Sequence, residues 1–552
     1  VIHTERERWP FSGAALAVYL VRWMSVGLGA VTVLAAWLTA RELAPGNRWL
    51  PLAAGAITAF NPMFLFVTAS VNNDALVIAL CAVCLWLMVR YVRGEPRPWH
   101  WALLGGLLGL ASLSKASALG MLALAAATGA VVGWRTRHTP AGGWRALLVA
   151  GVGIAVPLVT IGGWWYYRNW LLYRDPLGLN AFVAIVGPRH PVPTLRQLLG
   201  EWQGFVMSYW AFFGGVNVAA PRWVYWALSL LGGAGLLGMA LHVWRLVRAR
   251  ERDLARCAQL ALVVAWPCVV FISLVRWTLM TIASQGRLMF SALSALSLLS
   301  ALGLAALSPR RSPWLLPALM VAVLLVAAVA LPFVTIQPSY AQPRPLAAEE
   351  LPASATRLDV DLGGVMRLLA WEADRTELEP GADVTLTLYW QSLAPMEQDY
   401  SVFVHLLVAH DLIVGQRDMY PGQGTYPTSL WSPGEIIADT YVVPVSEAAL
   451  TPAEAQFEVG LYTLGDGARL AVTDADGTSL GDHVCFGRLD LPERVVDGIP
   501  NPMQQNLGDQ VALVGYSLDR SAAAPGEAFQ LMLYWRALCD VDTNYSVFTQ
   551  VL

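Results

Sequence analysis

Lysine is almost missing from this chain: its 36 basic residues are 35 arginines and Lys115. Charge of either sign is scarce, at 14% of residues, and the mean hydropathy of +0.51 is too high for an ordinary soluble enzyme. The net charge of −3 conceals a split, with arginines crowding the first half and Asp/Glu the second. No basic groove or RNA-binding motif is present, so nucleic acid is not an expected partner. Cysteine is also sparse, with six residues. Cys81 and Cys84 form a C-x-x-C, but they sit in a hydrophobic run without nearby His or acidic ligands, which favours small packing residues over a redox or zinc pair.

What the chain has instead is long apolar segments. A bilayer core needs roughly 20 apolar residues in a helix, fewer where a segment is partly buried in protein, and by that ruler there are ten segments: about 23–40, 50–70, 75–90, 100–113, 117–134, 146–163, 224–243, 257–275, 288–307 and 314–335. Alternate connections carry the arginines: Arg41 and Arg48; Arg90, Arg93 and Arg97; Arg135, Arg137 and Arg145; Arg245, Arg248, Arg250, Arg252 and Arg256; Arg310 and Arg311. The positive-inside rule makes these cytoplasmic. The turn at Asn72-Asn73-Asp74, the Ser114-Lys115 turn, the loop from about 164 to 223 and the stretch from Arg276 to Arg287 are then external, as are both chain ends. The expected fold class is a polytopic α-helical membrane domain of about ten spans followed by all-β sandwich domains.

From about Leu346 the period changes to two, as in Val384 to Trp390, which is the pattern of half-buried strands. The pattern then repeats. Asp374-Arg375, Pro380-Gly381, Leu386, Leu388-Tyr389-Trp390, Leu393 and Tyr400 to Phe403 recur 145 residues later as Asp519-Arg520, Pro525-Gly526, Leu531, Leu533-Tyr534-Trp535, Leu538 and Tyr545 to Phe548. The expected domains are 1–343 (membrane), 344–495 (extracellular β-sandwich) and 496–552 (part of a second sandwich repeat). Aromatics between Gln416 and Glu435, such as Trp431, are read as core, with stacking on sugar rings as the alternative. His405 is read as a packed histidine.

Ionisable groups at membrane depth are costly and default to function. Arg22, Asp74, Lys115, Arg168, Arg276 and Arg287 gather at predicted external ends, with Arg168 inside the aromatic belt Trp164-Trp165-Tyr166-Tyr167-Arg168-Asn169-Trp170. Snorkelling to the headgroups is the plain reading of each one alone. A cationic cluster at one leaflet also suits a lipid-linked phosphate whose isoprenoid tail stays in the bilayer.

Five stretches, "AFNPMFLFVTASVNNDAL" (59–76), "GLASLSKASALGM" (109–121), "GGWWYYRNWLLYRDPLG" (162–178), "FFGGVNVAAPRWVY" (212–225) and "SQGRLMFSALSAL" (284–296), resemble, in order, the membrane part of bacterial GT-C glycosyltransferases. These are the protein O-mannosyltransferase-like and aminoarabinose-transferase-like enzymes. The resemblance covers roughly residues 1–340. It implies transfer of a sugar from a polyprenyl-phosphate donor to a glycan, lipid or protein acceptor, on the outer face of the bacterial cytoplasmic membrane, with the C-terminal domains extracellular or periplasmic. By the same resemblance Lys115 is implied to touch the donor phosphate, and Arg168 and Arg287 to complete that anion site. Asp74 falls where the family has an acid near the metal or acceptor, which leaves a divalent metal on Asp74 open.

The family's first helix and its catalytic Asp-Glu loop are expected upstream of Val1, Glu5 and Glu7 lying in the tail of that loop, so residues 1–552 alone are expected to be inactive. A flippase or transporter of lipid-linked sugars is one alternative, although the charges lie at one face and not at the midplane. A non-catalytic anchor presenting carbohydrate-binding sandwiches is the other.

Overall fold

The computed structural model describes residues 9–550 apart from 140–141, 250–252, 410, 521–523, 525 and 542–543. Glu5, Glu7, Arg250, Arg252 and Pro525 therefore lie outside the described residues. The chain divides into two compact units, one within Phe11–Ser339 and one built from Tyr340–Leu552.

The first unit is helical. It begins with α1 (Gly13–Leu43), α2 (Trp49–Ala59), α3 (Pro62–Thr68), α4 (Asp74–Arg93), α5 (Pro98–Ser114), α6 (Met121–Arg135), α7 (Trp144–Leu158) and α8 (Trp164–Tyr173). Short helices follow, α9 (Leu179–Val186), α10 (Leu195–Gly200) and α11 (Trp202–Trp210), and then a small hairpin of β1 (Phe212–Phe213) and β2 (Val218–Ala219). Four long helices close the unit: α12 (Arg222–Arg248), α13 (Leu254–Met280), α14 (Leu293–Leu307) and α15 (Leu315–Leu331). Several start where the sequence supplies a cap. Asn61 Oδ1 accepts from Phe64 N at 3.0 Å with Pro62 at the first helical position, and Asp253 Oδ1 accepts from Arg256 N at 3.1 Å.

Among the described residues eight helical segments are long and apolar enough to cross a membrane, or nine if α2 and α3, bent by 62°, count as one broken span. The remaining predicted span, 100–113, is α5, whose 17 residues rise about 26 Å. It returns along α4 from end to end: Tyr91 Oη donates to His100 O at 3.0 Å at its start, and Asn73 Nδ2 donates to Ser114 O at 3.1 Å at its finish. The arginine-rich connections meet at the opposite end of the bundle from Ser114. There Arg93 pairs with Asp253 at 2.6 Å, Arg135 donates to the carbonyls of Val92 and Gly94, and Arg245 Nη1 donates to Ala306 O at 3.0 Å. Close helix packing relies on small residues: a Cβ on Gly238 would lie 1.9 Å from Gly303 O, so α12 and α14 touch backbone to backbone.

The second unit is a β-sandwich with an additional sheet. Its strands are β3 (Pro345–Leu346), β4 (Thr356–Leu362), β5 (Met366–Ala373), β6 (Asp383–Ser392), β7 (Tyr400–Val408), β8 (Leu412–Met419), β9 (Ile436–Pro444), β10 (Ala453–Thr463), β11 (Val472–Thr473), β12 (Ser479–Gly481) and β13 (Val484–Leu491). A sheet ordered β13-β10-β7-β8 faces one ordered β12-β11-β4-β5-β6-β9-β3, and every pairing is antiparallel. Trp390, Tyr441 and Phe457 fill the core between them, joined by Trp431, whose Nε1 donates to Tyr426 O at 3.0 Å. Trp431 is thus a core ring and not a sugar platform. His405 is buried with Nδ1 2.7 Å from Glu458 Oε2, a packed and hydrogen-bonded histidine.

Beyond a two-residue hairpin of β14 (Val495–Val496) and β15 (Ile499–Pro500), β16 (Gln505–Leu507), β17 (Val511–Leu518) and β18 (Leu531–Ala537) form a three-stranded sheet. Its pairs repeat the register of β4-β5-β6 at the 145-residue spacing. Val360 pairs with Leu368 as Gln505 pairs with Leu513, and Leu368 with Trp390 as Leu513 with Trp535; the register slips at the next pair in both copies. Asp374 Oδ1 accepts from Thr385 N, and Asp519 Oδ1 from Gln530 N, each at 2.8 Å.

One buried acid gives the sandwich a pH signature. Asp439, only 2% exposed, accepts from Gly422 N at 3.0 Å and from the Tyr441 hydroxyl, yet burial outweighs those bonds and pushes its carboxyl up to about 6. The unfolded carboxyl loses its proton near 3.8, so the fold's advantage from this group is present below that pH and declines as pH rises toward 6. Two pH units correspond to roughly 3 kcal/mol. Asp439→Asn is expected to flatten that decline, read as hydrogen exchange of the 436–445 peptides in the full chain, corrected for intrinsic rates. An unchanged decline between pH 4 and 6 assigns it to other groups.

Candidate functional site

Lys115 stands where a helix is forced to stop. Its backbone is extended (φ −161°, ψ 133°), which ends α5 at Ser114, and the chain then winds into a 3₁₀ helix over Ala116–Gly120 before α6. Asp74 is the first residue of α4, where the helix dipole favours a carboxylate. Asn72 prepares that position: its Oδ1 accepts from Ala75 N at 3.1 Å and its Nδ2 donates to Val67 O at 2.7 Å.

The fold brings these two turns together. Lys115 Nζ lies 2.6 Å from Asp74 Oδ1, with the lysine side chain about a third exposed (32%) and the aspartate 19% exposed. The backbones are tied as well, Asn73 Nδ2 donating to Ser114 O at 3.1 Å and Ser114 Oγ to Asn73 O at 3.3 Å. An ammonium has three donors, and Asp74 occupies one of them. The half-buried lysine is therefore anchored and still able to donate to an anion.

Arg168 is placed by α8, which connects to α7 through a π-helical turn at Val159–Gly163. Its guanidinium lies over the Trp165 ring at 5.2 Å and donates to Asn169 Oδ1 at 3.5 Å. Tyr166 Oη donates to Ser112 O at 2.8 Å, tying α8 to the last turn of α5, three residues before Lys115. Arg22, in α1, has its guanidinium over Tyr19 at 5.4 Å.

Arg287 comes from a separate 3₁₀ segment, Gly286–Ala292, that leads into α14, and its Nε donates to Gln285 Oε1 at 2.8 Å. That segment is closely held. Ser208 Oγ accepts from Gly286 N at 2.8 Å, and a Cβ on Gly286 would lie 2.1 Å from Phe205 O.

Sequence reasoning missed the group that holds its leading edge. Glu201 accepts from the Arg189 guanidinium and from the Ser284 hydroxyl, while Arg189 donates further to Thr278 O at 3.3 Å through its side chain and to Met280 O at 2.9 Å through its backbone. The hydrogen bond from Arg189 keeps the Glu201 carboxyl below the usual carboxylate range. An acid and an arginine twelve residues apart, in the loop from about 164 to 223, were the available signal.

Among the described residues no three His, Cys, Asp or Glu side chains are arranged to hold a metal ion. The partner of Asp74 here is the Lys115 ammonium.

Residues 15–161 match the family model for dolichyl-phosphate-mannose-protein mannosyltransferase. The matched stretch runs from α1 into the π-helical turn after α7, and it contains both Asp74 and Lys115 but neither Arg168 nor Arg287. No curated protein matches the chain. Among solved structures, the alkylpurine DNA glycosylase AlkC of Pseudomonas fluorescens, bound to DNA with an abasic-site analogue, aligns at 12% identity and a TM-score of 0.15, over 82% of this chain and 99% of its own. A superposition that loose supports no statement about fold.

Proposed function

We propose that the helical unit is a membrane glycosyltransferase of the GT-C type, moving a sugar from a polyprenyl-phosphate-linked donor to an acceptor on the outer face of a bacterial cytoplasmic membrane. The carrying observation is that the mannosyltransferase family model covers the two turns that the fold joins through Lys115 and Asp74. In such a transfer the bond from the anomeric carbon to the phosphate oxygen breaks, and a bond to the acceptor oxygen or nitrogen forms. The acceptor proton goes to a carboxylate base, and the phosphate leaves with the electron pair.

On this reading Lys115, Arg287 and Arg168 stabilise the departing phosphate, and Asp74 orients the ammonium. The arginine-rich end of the bundle is cytoplasmic and the Lys115 end external. Residues 344–495 form an outer sandwich, and 496–552 belong to a second copy whose three strands repeat the register of the first.

Equilibrium binding to the full chain in detergent tests the reading without requiring turnover. Polyprenyl phosphate is expected to bind tighter than the matching polyprenol. Arg287→Gln is expected to lose about tenfold of that preference or more, since a charge-assisted hydrogen bond contributes roughly 1.5–3 kcal/mol. Equal affinity of alcohol and phosphate in the parent chain sinks the proposal.

A further inference from the structure

Lys115 and Arg287 are far apart in sequence, but each stands at the start of a 3₁₀ helix that leads into a long bundle helix, Ala116–Gly120 before α6 and Gly286–Ala292 before α14. Both 3₁₀ helices end against one indole. Trp266, fully buried in α13, donates from Nε1 to Ser291 O at 2.8 Å. The other edge of its ring faces Gly120, where a Cβ would lie 3.4 Å from Trp266 Cζ3 and 2.6 Å from Val269 Cγ1.

Gly120 thus keeps the lysine segment flush against α13, and the indole N–H fixes the arginine segment by its backbone. Ala118, Met121, Phe290 and Ala292, which flank the two contacts in sequence, are buried as well. At about 2.0 Å per residue in a 3₁₀ helix, Lys115 stands roughly 10 Å and Arg287 roughly 8 Å along its own segment from the shared ring.

We propose that Trp266 is a positioning residue that sets the spacing of Lys115 and Arg287, so that one phosphate receives hydrogen bonds from both. The inference rests on the donor-site reading above. A side chain that touches no substrate acts here by fixing the register of two segments that do. Its N–H bond to a main-chain carbonyl is the part of the ring that packing alone does not require.

A double-mutant cycle on polyprenyl-phosphate binding tests this, with Lys115→Ala and Arg287→Ala made singly and together in the full chain. Two cations that grip one phosphate are coupled, so the double variant is expected to lose about tenfold less affinity than the product of the single losses. In Trp266→Phe, which keeps an aromatic ring and removes the N–H, that coupling is expected to fall to about one. Gly120→Ala, which disturbs the lysine side of the junction and leaves the Ser291 bond in place, is expected to do the same and serves if Trp266→Phe does not fold.

Parental coupling in either folded variant overturns the positioning role. Simple additivity in the parent chain overturns it too, because the two cations then share no ligand. If both single variants bind phosphate as the parent does, the donor-site reading itself fails, whatever Trp266 contributes.

Discussion

Replacing Lys115 by alanine is expected to weaken binding of a polyprenyl-phosphate sugar by roughly 10- to 100-fold, the range of a lost charge-assisted hydrogen bond in a partly dehydrated site. The side chain is two-thirds buried beside Asp74, so a phosphate there meets an ammonium with less competing water than at an open surface. Asp74→Asn keeps the ammonium and removes its anchor, so its expected loss is smaller. Lys115→Arg retains the charge but puts a planar fork at a turn zipped shut by Asn73 and Ser114, and it is expected to fall well short of parental binding. Isothermal titration with the phosphate donor and the neutral polyprenol separates these effects. Parental affinity in Lys115→Arg reduces the residue to an interfacial anchor.

The largest expected effect on the fold lies between α12 and α14. A Cβ on Gly303 would lie 1.8 Å from Gly235 O, and one on Gly238 would lie 1.9 Å from Gly303 O. These obstacles are backbone carbonyls and cannot rotate away. Gly303→Ala or Gly238→Ala must separate two long helices along their shared face, with an expected cost of about 3 kcal/mol or more per substitution. Gly233, in the same helix as Gly238 but with nothing within 4 Å of the added atom, is the control: Gly233→Ala is expected to be neutral or to stabilise by up to about 1 kcal/mol through helix propensity. Thermal unfolding in detergent ranks the three. Equal midpoints for Gly303→Ala and Gly233→Ala contradict the backbone contact.

Much of the architecture was legible because bilayer thickness and strand pleat impose simple periods. The long apolar runs and the grouping of arginines both survive in the fold, and the 145-residue repeat survives down to a shared register slip. The one span outside the length criterion, α5, is short because Lys115 ends it early. Candidate residues could be listed from the sequence, but their pairing could not. Lys115 and Asp74 lie 41 positions apart in separate turns, and nothing local to either shows that the turns are zipped together. The Arg189–Glu201–Ser284 group depends on the end of α13 meeting the loop between α9 and α11, a tertiary fact with no periodic trace. Asp439 looked like any strand aspartate until the 421–431 turn closed over it.

The matched register of β4-β5-β6 and β16-β17-β18 also bears on how the chain reaches its fold. A strand entering the wrong copy meets the same β5-β6 register and the same slip that it would meet in its own. Hydrogen bonding therefore offers no means of rejecting exchange between copies, a recognised failure of tandem domains. Discrimination falls to the positions where the copies differ, such as Trp371 against Tyr516 and Ala370 against Gly515, and to the order in which the two copies emerge during synthesis.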